Sequence, residues 1–336
     1  MMKSILFMAQ MGALCTLGLI GTTSGASAQQ NDPLSELPID QRRANPAGLA
    51  DSQPNTEAAP TGDGDTLAPL MLPPTRGISS AKAQEEANRY RACMQRLGTA
   101  PDRALENALA WLADGPSLPA EHCAAAALVA LGRPDAAAQR YSRLADDMRT
   151  GRGLTYDIVD ADDPYSLLAG IYAQMGNALL LADKPEQAYT AFSNGLAQAP
   201  LENDPLTLDL HVDRARTLGL MGEYEDAIKD LEKARLIGGW RADIALYLAS
   251  AYRALGDLEP ALDAAIRAVE LDQQSPAARL ERANIHMLTG DEKAARTDWQ
   301  TIVTRWPDAA AALAARANLA ALDQMDPDPN NTAPTP

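Results

Sequence analysis

Between about Ser79 and Met325, apolar and small residues recur with a helical period almost without interruption. Ala104, Ala137, Ala188, Ala227, Ala261 and Ala295 mark six helix–turn–helix units along this stretch. Their separations are 33, 51, 39, 34 and 34 residues. The two long gaps predict insertions, one around MRTGRGLTYDIVDADDPYS and one around Leu201-Glu202-Asn203-Asp204. The last three alanines each lie five residues after a glycine, in the related phrases LGLMGEYEDAI, YRALGDLEPAL and HMLTGDEKAAR. A repeat of this length predicts stacked supersecondary units rather than one globular core.

Punctuation places the turns. Gly132, Gly222, Gly256 and Gly290 close the first helices of their units, where a left-handed backbone suits glycine. Asp183 takes that slot in the third unit. Pro134, Pro164, Pro185, Pro205 and Pro276 fall in the first turns of helices. A last helix, from about Asp308 to Leu322, is expected to cover the open end of the stack, because a terminal repeat otherwise exposes an apolar face.

With the repeats aligned on those alanines, the residues resemble the tetratricopeptide repeat family. Taking the alanine as position 20, the third unit spans 169–202, with Gly176, Ala188, Phe192 and Pro200 at positions 8, 20, 24 and 32. The fourth, 208–241, has Ala215, Ala227 and Leu231 at 8, 20 and 24, and the fifth, 242–275, has Ala249, Tyr252, Ala261 and Ala265 at 8, 11, 20 and 24. The sixth, 276–309, has Ala283, Ala295, Trp299 and Pro307 at 8, 20, 24 and 32, and the second, about 118–151, has Ala125, Leu128, Ala137 and Tyr141 at 8, 11, 20 and 24. The first unit departs from the pattern, because its turn at Gly98-Thr99-Ala100-Pro101 is longer by one. The resemblance implies an all-α, right-handed α-solenoid of about six repeats with a C-terminal capping helix.

It also implies a peptide-binding groove on the inner curve, lined by first-helix residues. Here Asn177, Leu181, Val212, Arg216, Leu246, Ser250, Arg253, Leu280 and Asn284 occupy that wall. Mixed apolar and amide groups suit a bound backbone with a few apolar side chains. The chaperone-binding subclass grips a C-terminal carboxylate with a lysine at position 5. Ala173 and Val212 stand there instead, so that mode of capture is not expected.

Positions 7 and 23 co-vary between units. They are Arg214 and Asp230 in the fourth unit and Arg282 and Asp298 in the sixth, but Met175 and Ala191 in the third and Leu248 and Ala264 in the fifth. The spacing predicts an ion pair between the two helices of the fourth and of the sixth unit.

Residues 1–28 read as a secretory signal. Lys3 begins it, an apolar stretch follows from Ile5 to Ile20, and Ala26-Ser27-Ala28 supplies the small-residue cleavage pattern. The alternative is an uncleaved anchor, against which stands an apolar run shorter than the ~20 residues that cross a bilayer. Cys15 lacks a lipobox, because Leu14 precedes it. Residues 29–78, with eight prolines and no apolar period, are expected to be a disordered leader. The cluster Leu67, Leu70, Met71 and Leu72 within it reads either as a strap on the first helix or as a peptide that occupies the groove. The repeat region is then 79–325, and residues 326–336 form a loose tail. The expected location is the periplasm of a bacterium.

In such a compartment Cys93 and Cys123, the two cysteines left after cleavage, pair first as a disulfide between neighbouring first helices; two buried free thiols are the alternative. The formal charge of −16 argues against nucleic acid and anionic lipid as partners and favours a neutral or basic protein or peptide. His122, His211 and His286 lie on different units, and no His-x-x-x-His or Cys-x-x-Cys spacing occurs, so neither a metal nor another cofactor is expected. Asp157, Asp160, Asp162 and Asp163 lack the glycine and final glutamate of a calcium loop. No nucleophile elbow or phosphate-binding glycine loop appears, and the chain is not expected to be an enzyme. The expected function is a non-catalytic interaction scaffold of the cell envelope. The alternative is an accessory or ligand-binding subunit of a peptidoglycan or outer-membrane assembly machine.

Overall fold

The computed structural model describes residues 80–152, 164–199 and 205–325. All of them belong to the larger of the two units into which the chain divides, Asp32–Pro336. The expected signal, leader and C-terminal tail, most of the first insertion and Pro200–Asp204 lie outside the described residues.

Thirteen helices and no strand are present among the described residues. They are α1 (Ser80–Arg96), α2 (Pro101–Ala113), α3 (Leu118–Ala130), α4 (Pro134–Thr150), α5 (Pro164–Leu181), α6 (Pro185–Gln198) and α7 (Pro205–Met221). There follow α8 (Tyr224–Gly238), α9 (Ala242–Leu255), α10 (Leu258–Leu271), α11 (Pro276–Thr289), α12 (Glu292–Arg305) and α13 (Ala310–Met325). Each packs on the next, and first helices also touch across units: α1 on α3, α5 on α7, α7 on α9, α9 on α11 and α11 on α13. This is an all-α solenoid of six helix–turn–helix units, closed by α13.

The local chemistry explains the boundaries. Six helices open on proline, whose missing N–H costs nothing in the first turn. Ser275 caps α11, its hydroxyl accepting from Ala278 N at 3.1 Å. First helices end in a left-handed residue at Gly132, Gly222, Gly256 and Gly290, with φ between 67° and 87°. Asp183 adopts φ 58° and is the one non-glycine residue of positive φ among those described.

Packing is set by small residues. Ala104, Ala137, Ala188, Ala227, Ala261 and Ala295 are all buried where second helix meets first. In the third unit the approach is closest: a Cβ on Gly176 would stand 2.5 Å from Phe192 Cε1. Glycine at position 8 thus makes room for the aromatic ring at position 24. α13 begins two residues later than expected and ends at Met325. Its Ala311, Ala312, Ala315 and Leu322 complete the last cluster with Leu280, Trp299 and Ile302.

Candidate interaction groove

The first helices α5, α7, α9, α11 and α13 stand side by side, and a row of polar side chains runs across them. Asn177 on α5 donates its Nδ2 to Asp213 Oδ2 on α7 at 3.1 Å. Arg253 on α9 donates its Nε to Glu281 Oε1 on α11 at 2.6 Å. Asn318 on α13 donates to Asn284 Oδ1 on α11 at 3.1 Å. Arg241, just ahead of α9, bridges Asp209 of α7 and Asp243 of α9. These bonds tie neighbouring units together along their first helices.

Several expectations about the groove wall need correction. Val212 is 1% exposed and packs with Leu208, Ile244 and Leu248. Leu246 is buried with Ala268, Val269 and Ala278, and Leu280 with Ala283, Ala312 and Ala315. These side chains fill the seams between helices and offer no surface to a peptide. Ser250 is buried with its hydroxyl sealed and unpartnered. Arg253 is not a free contact, because Glu281, fully buried, holds it. Leu181 remains 45% exposed, and Asn177 and Asn284 are half-buried. Arg216 is only 8% exposed.

Asp213, Glu281 and Asn318 were missed. All three carry a signal in the repeat register. Asp213 and Glu281 share position 6, and Asn318 follows Asn284 by 34 residues, as position 9 of a seventh first helix.

The expected ion pairs lie behind this row. Arg214 donates from Nε and Nη2 to the two Asp230 oxygens at 2.7 and 2.8 Å. Arg282 meets Asp298 in the same bidentate way, at 2.8 Å for both bonds. His211 Nδ1 adds a third contact to Asp230 at 3.0 Å. Burial alone would raise the Asp230 carboxyl, but Arg214 and His211 outweigh it and hold it below the usual carboxylate range.

At the N-terminal end, Cys93 of α1 and Cys123 of α3 have Cα atoms 6.3 Å apart, within disulfide reach, and their sulfurs meet. Beside them His122 is buried, with Nε2 2.8 Å from Gln174 Oε1 and Nδ1 2.9 Å from the Tyr90 hydroxyl. The Gln174 oxygen can only accept, so Nε2 carries the proton and Nδ1 accepts from Tyr90. Burial pushes the His122 pKa down, against the pull of Gln174, and pushes Tyr90 up to about 12. No group of three His, Cys, Asp or Glu side chains is arranged to hold a metal ion among the described residues. None of the described helices is long and apolar enough to cross a membrane.

Residues 242–275, the fifth unit in the register read from the sequence, match the family model of the tetratricopeptide repeat. One unit of the solenoid is thus a tetratricopeptide repeat by sequence. No curated protein matches the chain. Among solved structures, Pseudomonas aeruginosa PilF is 14% identical, with a TM-score of 0.55 over 71% of this chain and 100% of that one. PilW, described as a widely conserved type IV pilus biogenesis factor, is 15% identical, with a TM-score of 0.54 over 68% of this chain and 96% of that one. The Cut9–Hcn1 assembly of the APC/C gives 17% identity and 0.51 over 68% of this chain and 42% of that one. At these identities the likeness is one of fold. The described residues share the helix–turn–helix repeat architecture of these structures.

Proposed function

We propose that this protein is an exported scaffold that holds a segment of another polypeptide against the first-helix face of α5 to α11. The observation that carries the reading is the polar row from Asn177 to Asn318, which crosses successive first helices, two of which, α5 and α11, also carry the exposed Leu181 and Leu288. Amide groups along such a row can exchange their mutual bonds for bonds to a peptide backbone, while the leucines receive apolar side chains. The chain's formal charge of −16 favours a partner that is neutral or basic overall. The signal-like first 28 residues support export to a bacterial periplasm.

Two measurements test this. Immobilised protein is offered a periplasmic extract, with Leu181→Asp and Leu288→Asp variants as controls. A partner retained by the wild type and lost by both variants, and displaced by a synthetic segment of itself, is the expected result. Equal retention by all three baits would remove the groove from the reading. For export, N-terminal sequencing of the periplasmic fraction should read from Gln29. A chain that keeps Met1 and sediments with membranes would show an anchor instead.

A further inference from the structure

A stack of repeats needs a polar outer face at each end, because no further unit packs there. α1 meets that demand. Its Gln84, Glu85, Asn88, Arg89, Arg91 and Gln95 are all exposed. α13 does not meet it. Ala310, Leu313, Ala317 and Ala320, spaced by three and four residues, form one exposed face along it, and Leu313 is 69% exposed. In the repeat register Ala317 is position 8 of a seventh first helix. At that position Ala125, Gly176, Ala215, Ala249 and Ala283 are all buried, because the second helix of the same unit packs there. The alanine that this second helix carries at position 20 is replaced in the seventh register by Pro329, a residue that a helix interior rejects. α13 thus ends the stack with the face of an unfinished repeat.

We propose that a second copy of this chain covers that face, α13 packing antiparallel on α13 about a two-fold axis. Docking of one copy's last helix on another's first is disfavoured, because α1 offers charged and amide groups where Leu313 needs an apolar neighbour. The face is complementary to itself. An axis crossing between Ala317 and Ala320 sets Ala317 of each copy against Ala320 of the other, and such small side chains let the two backbones close. The charges match in the same register. Arg316 and Asp323 lie seven residues apart on one flank of the face, and the axis brings Arg316 of each copy beside Asp323 of the other. Both side chains are already held along that flank, Arg316 by its bond to the Pro307 carbonyl and Asp323 by Arg296, each at 2.6 Å. The pair joins two stacks tail to tail and carries two first-helix faces in one particle. It does not depend on what those faces bind.

The test is sedimentation equilibrium of the full chain from about 1 to 200 µM. One helix pair is a small interface, so a dimer with a dissociation constant in the micromolar range is expected. Leu313→Asp should weaken it by about tenfold to a hundredfold. At the lowest concentration that variant should melt as wild type does, because the side chain it changes is exposed. Arg316→Asp and Asp323→Arg should each weaken the dimer, and the double variant should recover most of it. Oxidative cross-linking fixes the direction. In a Cys15→Ser background, Ala317→Cys should link to itself. Ala310→Cys should not, because antiparallel packing sets the two copies of residue 310 about 25 Å apart along the helix axes. A chain that stays monomeric throughout overturns the proposal. So do monomers that pair only once residues 29–78 are removed, which would show the leader on that face instead. A dimer indifferent to Leu313→Asp, or one cross-linked through Ala310→Cys, puts the contact elsewhere or runs it in parallel, and equally overturns it.

Discussion

At the residue scale, the clearest energetic statement concerns Asp230. It is 3% exposed, and three donors meet it. Removing Arg214 alone leaves a buried carboxylate without its main partner, which should cost about 3 kcal/mol. The third and fifth units show the alternative solution, with an apolar side chain and alanine at the same two positions. The double replacement Arg214→Leu with Asp230→Ala should therefore cost much less than Arg214→Leu alone. Urea unfolding of the single and double variants measures the difference. Equal losses would mean that the pair is uncoupled. The pH dependence has two windows of defined sign. Asp230 is depressed when folded, so its contribution is complete above its unfolded pKa of about 3.9 and disappears as pH falls through the lower folded value. His122 is also depressed when folded, but it is a base. The unfolded chain takes up its proton below about 6.5 while the folded one resists, so stability falls as pH drops from there toward the folded pKa. A melting series from pH 7.5 to 5 should show this loss in wild type and a smaller one in His122→Gln.

At the scale of elements, the turns and helix contacts make distinct demands. Gly256→Ala should lower stability by about 1 kcal/mol, because φ is 84° there. Asp183→Gly should be neutral or mildly stabilising at its φ of 58°. Gly176→Ala drives a methyl toward Phe192 and should cost about 1–3 kcal/mol, as should a bulky side chain at Ala261. Thermal melts of the four variants decide. The positions behind these predictions were legible because helix–helix contact dictates size, and size repeats every 34 residues. The groove was legible only in part. Register says which way a side chain points, but not how deep the neighbouring helix leaves it. Val212, Leu246 and Leu280 point as the family pattern requires and are nonetheless shut into the seams.

At the scale of the molecule, the two ends of the stack are closed by different means. α13 is held by a buried apolar seam. α1 buries only Cys93 among its described side chains and otherwise relies on Tyr90, Met94 and the cation–π contact of Arg89 with Trp111. Joining Cys93 to Cys123 should stabilise by about 3–4 kcal/mol through the loop it closes. Thiol titration of unreduced protein should find neither sulfur free, and reduction should expose α1 to protease before any other helix. Two titratable thiols without reductant would refute the bond. The alternation of ionic and apolar units from the third to the sixth bears on assembly. Near-identical modules risk docking out of order, a first helix accepting the second helix of its neighbour. A slip by one repeat would bury Arg214 against Ala264, or Asp230 beneath Leu248, and each mismatch would cost several times what a surface charge does. The chain thus carries its own proofreading, written across the third to sixth modules and read as they close on one another.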